Sequence, residues 1–138
     1  MSGSELALRR VGTTQVELSR IGLGGYQLGP EPGAQPDVAR AVRVIETAIE
    51  LGINWLDTSE NYLDTHNEEV IGAALARLPG EFLVASKVAP GKGVTGGGSG
   101  FRRDEVHRAC RQSLKRERIR AVQIRTRHYP ERTARAAR

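Results

Sequence analysis

Three side chains in the middle of this chain have types and spacing suited to acid–base chemistry. Asp57 follows the apolar run Ile53-Asn54-Trp55-Leu56, Tyr62 comes five residues later, and Lys87 lies just past a second run, Phe82-Leu83-Val84-Ala85. An ammonium beside a phenol stabilises the phenolate left once the phenol has released its proton. An aspartate beside that ammonium keeps it charged and in place. A tyrosine supported in this way can serve as a general acid toward a substrate oxygen. The same three residues could also be a structural ion pair beside an ordinary loop tyrosine, and spacing alone favours that plainer reading.

The elements around them decide whether the three groups can meet. Val38, Ala41, Val42, Ile45, Ala48 and Ile49 recur at helical spacing, with Asp37 placed to cap the start and Gly52 the end. A short strand over residues 53–56 then delivers Asp57. A second helix is predicted from Asn67, with Glu68 and Glu69 in the first turn, where the helix dipole favours negative charge. Val70, Ile71, Ala74, Leu75 and Leu78 would line its inner face, and Gly80 would end it. The strand over 82–85 delivers Ser86 and Lys87. Six glycines among residues 90–100 predict a long loop, and a third helix follows from about 103 to 116, with Val106, Cys110 and Leu114 at i, i+4 and i+8. Upstream, residues 6–10 and 15–18 around Gly12-Thr13-Thr14 predict a hairpin. Arg20-Ile21-Gly22-Leu23-Gly24 reads as a buried strand, and the proline- and glycine-rich residues 29–36 as a loop.

Alternation of strand and helix implies right-handed βαβ units on a parallel sheet, in an open doubly wound form or a (β/α)8 barrel. Both architectures put functional side chains just beyond the carboxyl ends of strands. Asp57, Tyr62 and Lys87 all fall there. Neighbouring parallel strands lie about 4.8 Å apart, so an acid and an amine at matching ends can pair.

Composition narrows the setting. The 138 residues suit one domain. Apolar runs are a handful of residues long, against the ~20 that a membrane-spanning helix needs. Met1 to Arg10 shows no secretory signal pattern. Cys110 is the only cysteine, which excludes a disulfide framework and makes a reducing, cytoplasmic setting the expectation. The net charge of +5 is unevenly spread: residues 111–138 hold 10 Lys and Arg against 2 Asp and Glu, whereas residues 1–110 hold 11 against 14. A basic end is compatible with a polyanion partner. The alternative function is therefore a non-catalytic binding module whose basic C-terminal tail engages a polyanion. With six aromatics in the chain, nucleic-acid binding by base stacking finds little support.

Three phrases taken together resemble the aldo-keto reductases. They are Ile21-Gly22-Leu23-Gly24-Gly25, then Gly52-Ile53-Asn54-Trp55-Leu56-Asp57-Thr58-Ser59-Glu60-Asn61-Tyr62, then Asn67-Glu68-Glu69-Val70-Ile71-Gly72. The family's second strand ends in Asp-Thr-x-x-x-Tyr, a Glu-x-x-(Ile/Leu)-Gly helix start follows, and the third strand ends in a lysine, matched by Ser86-Lys87-Val88. Ser113-Leu114-Lys115-Arg116 and then His128-Tyr129-Pro130 match the end of the next helix and a His-x-Pro phrase. The resemblance implies a partial (β/α)8 TIM barrel of about three to four βα units after an N-terminal β-hairpin. It implies reduction of a small aldehyde or ketone with NADP(H), Tyr62 giving the proton while hydride reaches the carbonyl carbon. Asp57 and Lys87 would tune Tyr62, and His128 would orient the carbonyl oxygen. Gly24, Gly25, Tyr26 and Asp57 would border the nicotinamide.

Two departures shape the remaining expectations. Between Arg116 and His128 only Ala121-Val122-Gln123-Ile124 resembles a strand core, and four arginines crowd the segment. An unpaired buried charge costs several kcal/mol, so this strand is expected to sit poorly in a barrel. A barrel of this type needs about 250 residues. The reading is an incomplete barrel domain over residues 1–130 with a basic tail at 131–138, truncated or disrupted after about residue 116. Such a chain is expected not to be competent alone and to self-associate through exposed half-barrel edges.

Other signals are set aside. Gln27 breaks a dinucleotide-binding G-x-G-x-x-G, and Gly91-Lys92-Gly93 lacks the residues of a phosphate loop. His66 and His107 have no ligand-spaced partners, so no metal site is predicted. Cys110 reads as a small core-facing residue, and Trp55 as part of a buried strand.

Overall fold

The computed structural model describes residues 6–31, 33–89 and 102–128. The glycine-rich stretch at 90–100 and the tail from 129 lie outside them, with the expectations attached to both.

The hairpin forms, with β1 (Leu8–Arg10) antiparallel to β2 (Glu17–Ser19) and Gly12 in the left-handed conformation that the turn requires. Asn54 and Trp55 fasten it to the main sheet. Asn54 Oδ1 accepts from the Ser19 amide at 2.8 Å, its Nδ2 donates to the Glu17 carbonyl at 2.9 Å, and the Trp55 indole donates to the Ser19 carbonyl at 2.9 Å. Gly22 lies directly beneath that indole, where a Cβ would overlap the ring.

The main sheet has four parallel strands in sequence order: β3 (Leu23–Gly24), β4 (Trp55–Asp57), β5 (Leu83–Val88) and β6 (Ile124–Arg127). One helix lies in each connection: α1 (Val38–Glu50), α2 (His66–Leu75) and α3 (Arg103–Glu117). A doubly wound sheet reverses its strand order at a switch point. Here the order never reverses, so right-handed crossovers place all three helices on one face, as in a barrel wall. The core fills the space between that face and the helices, with Ala41, Ile45, Leu56, Val70, Ile71, Ala74, Phe82 and Val84 buried together.

Local chemistry sets the helix ends. Asp37 accepts from the Arg40 amide at 2.8 Å and caps α1, and Gly52, at φ +82°, turns the chain back toward β4. Gly72 on α2 faces the last turn of α3, and a Cβ there would collide with the Arg116 carbonyl and the Glu117 backbone. Close approach of these two helices therefore requires glycine.

Several expectations need correction. Residues 20–24 are not a buried strand: only Leu23 and Gly24 pair, and Arg20 and Ile21 are exposed, because the chain is still crossing from the hairpin to the sheet. Ile49 is exposed at the end of α1. The second helix ends at Leu75, and residues 76–80 leave it as a turn. On α3 the buried stripe is Glu105, Ala109, Ser113 and Glu117, while Val106, Cys110 and Leu114 are half-buried on its flank. Hydrophobicity misplaced that face because two of the four buried positions are carboxylates, Glu105 and Glu117.

The strand before His128 is the largest correction. It forms three residues later than expected, at Ile124–Arg127, and its arginines do not exclude it. Gln123 starts the ladder with its side chain: Val84 donates its amide to Gln123 Oε1 at 2.8 Å, and the Gln123 amide donates to the Val84 carbonyl at 3.1 Å. Arg125 turns to the helix face, where it ion-pairs with Glu60 at 3.3 Å and donates to Ser86 Oγ at 3.1 Å and Ser113 Oγ at 2.8 Å. A paired charge does not carry the cost of an orphaned one.

Candidate active site

Strand register brings the chemistry together. Asp57 is level with Ala85, and Lys87 stands two residues further along β5, so both occupy the face turned away from the helices. Lys87 Nζ donates to Asp57 Oδ2 at 2.5 Å, to the Thr58 carbonyl at 2.9 Å and to the Tyr62 hydroxyl oxygen at 3.1 Å. An ammonium has three hydrogens, and these three contacts use all of them. The ammonium also lies 4.9 Å from the centroid of the Tyr62 ring.

Tyr62 starts a 3-10 turn over Tyr62–Thr65. Leu63, Asp64 and Thr65 all have positive φ, a left-handed run that is costly for non-glycine residues. Gly29 gives Leu63 its place, since a Cβ on Gly29 would overlap the leucine side chain. Tyr62 is flanked edge-to-face by Tyr26 at 5.1 Å and by His128 at 5.5 Å between ring centroids.

His128 directly follows β6, and its amide donates to the Val88 carbonyl at 2.9 Å. Its Nδ1 lies 2.8 Å from Ser59 Oγ. Burial, and then the Lys87 ammonium, hold its pKa below the usual imidazole value, with Asp57 partly opposing them. Asp57, Tyr62, Lys87 and His128 are thus neighbours at the carboxyl ends of β4, β5 and β6.

Gly24, Gly25 and Tyr26 border the same mouth. A Cβ on Gly24 would meet nothing within 4 Å, so open space adjoins the backbone beside Asp57. Gly25 sits against β4, its amide donating to the Asp57 carbonyl at 2.7 Å, and a Cβ there would press on that same oxygen. Tyr26 is half exposed at the rim.

Beneath these residues lies a buried polar layer that the sequence reading missed. Asn67 is fully buried; its Nδ2 donates to the Gly25 and Tyr26 carbonyls at 2.8 and 3.1 Å, and its Oδ1 accepts from Thr58 at 2.6 Å. It therefore joins the first loop to the second. Glu60 accepts from the Ala89 amide at 2.7 Å and pairs with Arg125, and burial raises its pKa against both. Glu68 is not a solvated charge at a helix start: it accepts from Ser86 at 3.1 Å and from Arg116 at 2.6 Å. Burial and the nearby Glu68 push Glu117 up to about 8. The carboxylates in the Asp57–Tyr62 and Asn67–Gly72 phrases were the available signal, because two such acids flanking a predicted core helix need partners.

His66 and Glu69 pair at 3.1 Å on the exposed surface, away from this cluster. Among the described residues no group of three His, Cys, Asp or Glu could hold a metal ion, and no helix is long and apolar enough to cross a membrane.

The chain is similar to known proteins. The family model described as "Aldo/keto reductase family" matches residues 20–136, which extends past Pro130, where the sequence reading ended the resemblance. An L-galactose dehydrogenase of Arabidopsis thaliana is 32% identical over 126 residues, covering 88% of this chain and 37% of its own. An NADH-specific methylglyoxal reductase of Escherichia coli is 39% identical over 77 residues, 54% of this chain and 23% of its own. Among solved structures, a glycerol dehydrogenase from Gluconobacter oxydans matches with a TM-score of 0.71 at 29% identity, over 96% of this chain and 41% of that one. An aldo-keto reductase from Klebsiella pneumoniae, in complex with NADPH, matches with a TM-score of 0.64 at 29% identity, over 83% of this chain and 37% of that one. The chain spans about a quarter to two fifths of the length of these relatives. A match over residues 20–136 and a wall of barrel strands in unbroken order place the chain in the aldo/keto reductase family, as a partial (β/α)8 barrel.

Proposed function

We propose that this chain carries the acid–base site of an NADP(H)-dependent reductase acting on a small aldehyde or ketone. The contact that supports this reading most strongly is the 3.1 Å hydrogen bond from Lys87 Nζ to the Tyr62 oxygen. Because that oxygen accepts from Lys87, the phenol's own hydrogen is left to donate to a substrate carbonyl oxygen. As the proton leaves, negative charge grows on an oxygen already touching an ammonium, which lowers the barrier by electrostatic preorganisation. Asp57 and the Thr58 carbonyl fix the ammonium in that position. Tyr26 and His128 wall the phenol on two sides and restrict how a substrate oxygen can approach it.

Gly24, Gly25, Tyr26 and Asp57 are the residues that would border the nicotinamide. When bound, the nicotinamide supplies the hydride that the carbonyl carbon takes as the carbonyl oxygen takes the Tyr62 proton. The NADPH-bound relative supports NADP(H), and the NADH-specific relative is the reason to test NADH beside it. The relatives' named substrates, methylglyoxal, glycerol and L-galactose, support a small oxygen-rich one.

The test uses Trp55 emission and NADPH consumption on the same preparation. NADPH should quench Trp55 saturably in the wild type and in Tyr62→Phe; an incomplete barrel is expected to turn over slowly at best, so methylglyoxal-dependent NADPH oxidation is followed over hours, and whatever the wild type shows above a protein-free control should fall at least 100-fold in the variant. Absence of quenching, or oxidation above the protein-free control that Tyr62→Phe matches, overturns the reading. NADH tested alongside reads the cofactor preference.

A further inference from the structure

Among the described residues four carboxyl groups are buried: Glu60, Glu68, Glu105 and Glu117. Glu105 stands apart in the first turn of α3, where it accepts from the Arg102 amide at 2.9 Å. The other three are fully buried and interact in one layer between the sheet and the α2–α3 pair, together with two guanidiniums, Arg116 and Arg125. Glu68 accepts from Arg116 at 2.6 Å and from Ser86 at 3.1 Å. Glu60 pairs with Arg125 at 3.3 Å and accepts from the Ala89 amide at 2.7 Å. Glu117 is left over: neither of its oxygens receives a hydrogen bond, and the group beside it is the Glu68 carboxyl.

Three acids and two guanidiniums carry one surplus negative charge if all five are ionised. A buried charge without a partner costs several kcal/mol, and a carboxyl so placed keeps its proton instead. Two carboxyl groups side by side also resist ionising together. Glu60 and Glu68 each hold a cation, so the proton falls to Glu117.

We propose that Glu117 is the neutral member of a buried carboxyl pair, giving its hydrogen to Glu68, and that loss of this proton unlatches α3 from α2 and releases β6 with it. The position of the pair gives the proton its leverage. Gly72 of α2 lies against the Arg116 carbonyl and the Glu117 backbone, so the pair sits where the two helices touch. Ionised Glu117 sets a second negative charge beside Glu68 at that contact, with Arg116 already engaged. Arg125 ties β6 to α3 through Ser113 and to the Asp57–Tyr62 loop through Glu60. Movement of α3 therefore reaches the strand that leads into His128.

The charged groups around Glu117 are Glu68 from α2, Arg125 from β6 and Arg116 from its own helix, with Glu60 next to all three. The two arginines favour release of the proton. Burial and Glu68 outweigh them, so the latch is closed at neutral pH and opens above about pH 8.

Carbon-13 spectra of the full chain, labelled at the glutamate carboxyls, sequentially assigned and titrated from about pH 5 to about pH 10, read the proton directly. The Glu117 carboxyl should titrate near pH 8. Amide exchange of the same samples should show α3 and β6 losing protection relative to α1 above that point, by about tenfold per pH unit, the slope of one released proton. Glu117→Gln cannot ionise yet keeps a donor for Glu68, so its α3 and β6 amides should hold their protection. A Glu117 carboxyl already ionised at pH 6 overturns the proposal by itself, whether or not the variant folds. Protection of α3 and β6 that stays level with α1 to pH 9.5 in the wild type, or that falls equally in folded Glu117→Gln, overturns the latch. None of these measurements needs turnover, so the reductase reading is decided separately.

Discussion

Replacing Arg125 with methionine keeps a long side chain on β6 and removes the charge that pairs with Glu60. Glu60 is fully buried and would keep just its bond from the Ala89 amide. Ser113 Oγ, also fully buried, would lose its contact at 2.8 Å, whereas Ser86 Oγ would still donate to Glu68. Removing one partner of a buried ion pair costs about 3–5 kcal/mol, a large part of the ~5–15 kcal/mol that holds a typical domain folded. Burial already raises the Glu60 pKa, and losing the guanidinium raises it further. The orphaned carboxylate is therefore relieved by protonation, and the cost should shrink at about pH 5. Urea unfolding of wild type, Arg125→Met, Glu60→Gln and the double variant at both pH values measures the coupling. The double variant should recover most of the loss at neutral pH. A loss below about 1 kcal/mol at neutral pH, or no recovery in the double variant, would refute the view that pairing is what lets an arginine-rich segment form β6. Since β6 leads straight into His128, the single variant should also broaden the His128 resonances.

Other consequences follow from individual contacts. Glu117 holds its proton to about pH 8 when folded, against 4.5 as its ordinary value, so its stabilising effect is complete below about pH 4.5 and is lost as the pH rises to about 8. At 1.36 kcal/mol per unit the loss is at most about 5 kcal/mol, and Glu117→Gln should flatten the pH profile of urea midpoints across that window. His128 works in the opposite sense: its lowered pKa favours folding above the ordinary imidazole value and loses that effect as the pH falls, which titration of His128→Gln would expose. Gly72→Ala should destabilise by about 1–3 kcal/mol, because the new methyl meets α3 backbone that cannot swing aside. Asn67→Ala should cost about 2–3 kcal/mol in thermal unfolding, since the Gly25 and Tyr26 carbonyls and the Thr58 hydroxyl lose a buried partner.

Periodicity and end signals made much of the fold legible. The α1 stripe, its Asp37 cap and the turn at Gly52 could be read directly, because apolar spacing and local hydrogen bonding decide them together. Asp57, Tyr62 and Lys87 could be brought to one place because parallel strands leave their carboxyl ends side by side. The parts that stayed hidden depend on pairing between distant residues. Glu68 reads as an acid favoured by the helix dipole until Arg116, on another helix, is known to reach it. Arg125 reads as a strand breaker until Glu60, Ser86 and Ser113 are placed around it. The α3 face was misjudged because Glu105 and Glu117 are buried where a hydrophobic pattern expects leucines. Gln123 supplied a ladder bond with its side chain, which no strand propensity anticipates. Ser59 lay inside the phrase that carried the resemblance, yet its tie to His128 spans 69 positions and was invisible without coordinates.

Deuterium transfer tests the central claim most directly. The chain at high concentration is incubated with NADPH deuterated at the transferring position and with hydroxyacetone, and the alcohol product is analysed by mass spectrometry. Accumulation over hours reads even slow turnover. Any singly deuterated propane-1,2-diol that the wild type forms above a protein-free control should be missing from Tyr62→Phe folded to the same stability. Product above that control formed equally by Tyr62→Phe would contradict the assignment of Tyr62 as the proton donor held ready by Lys87 and Asp57.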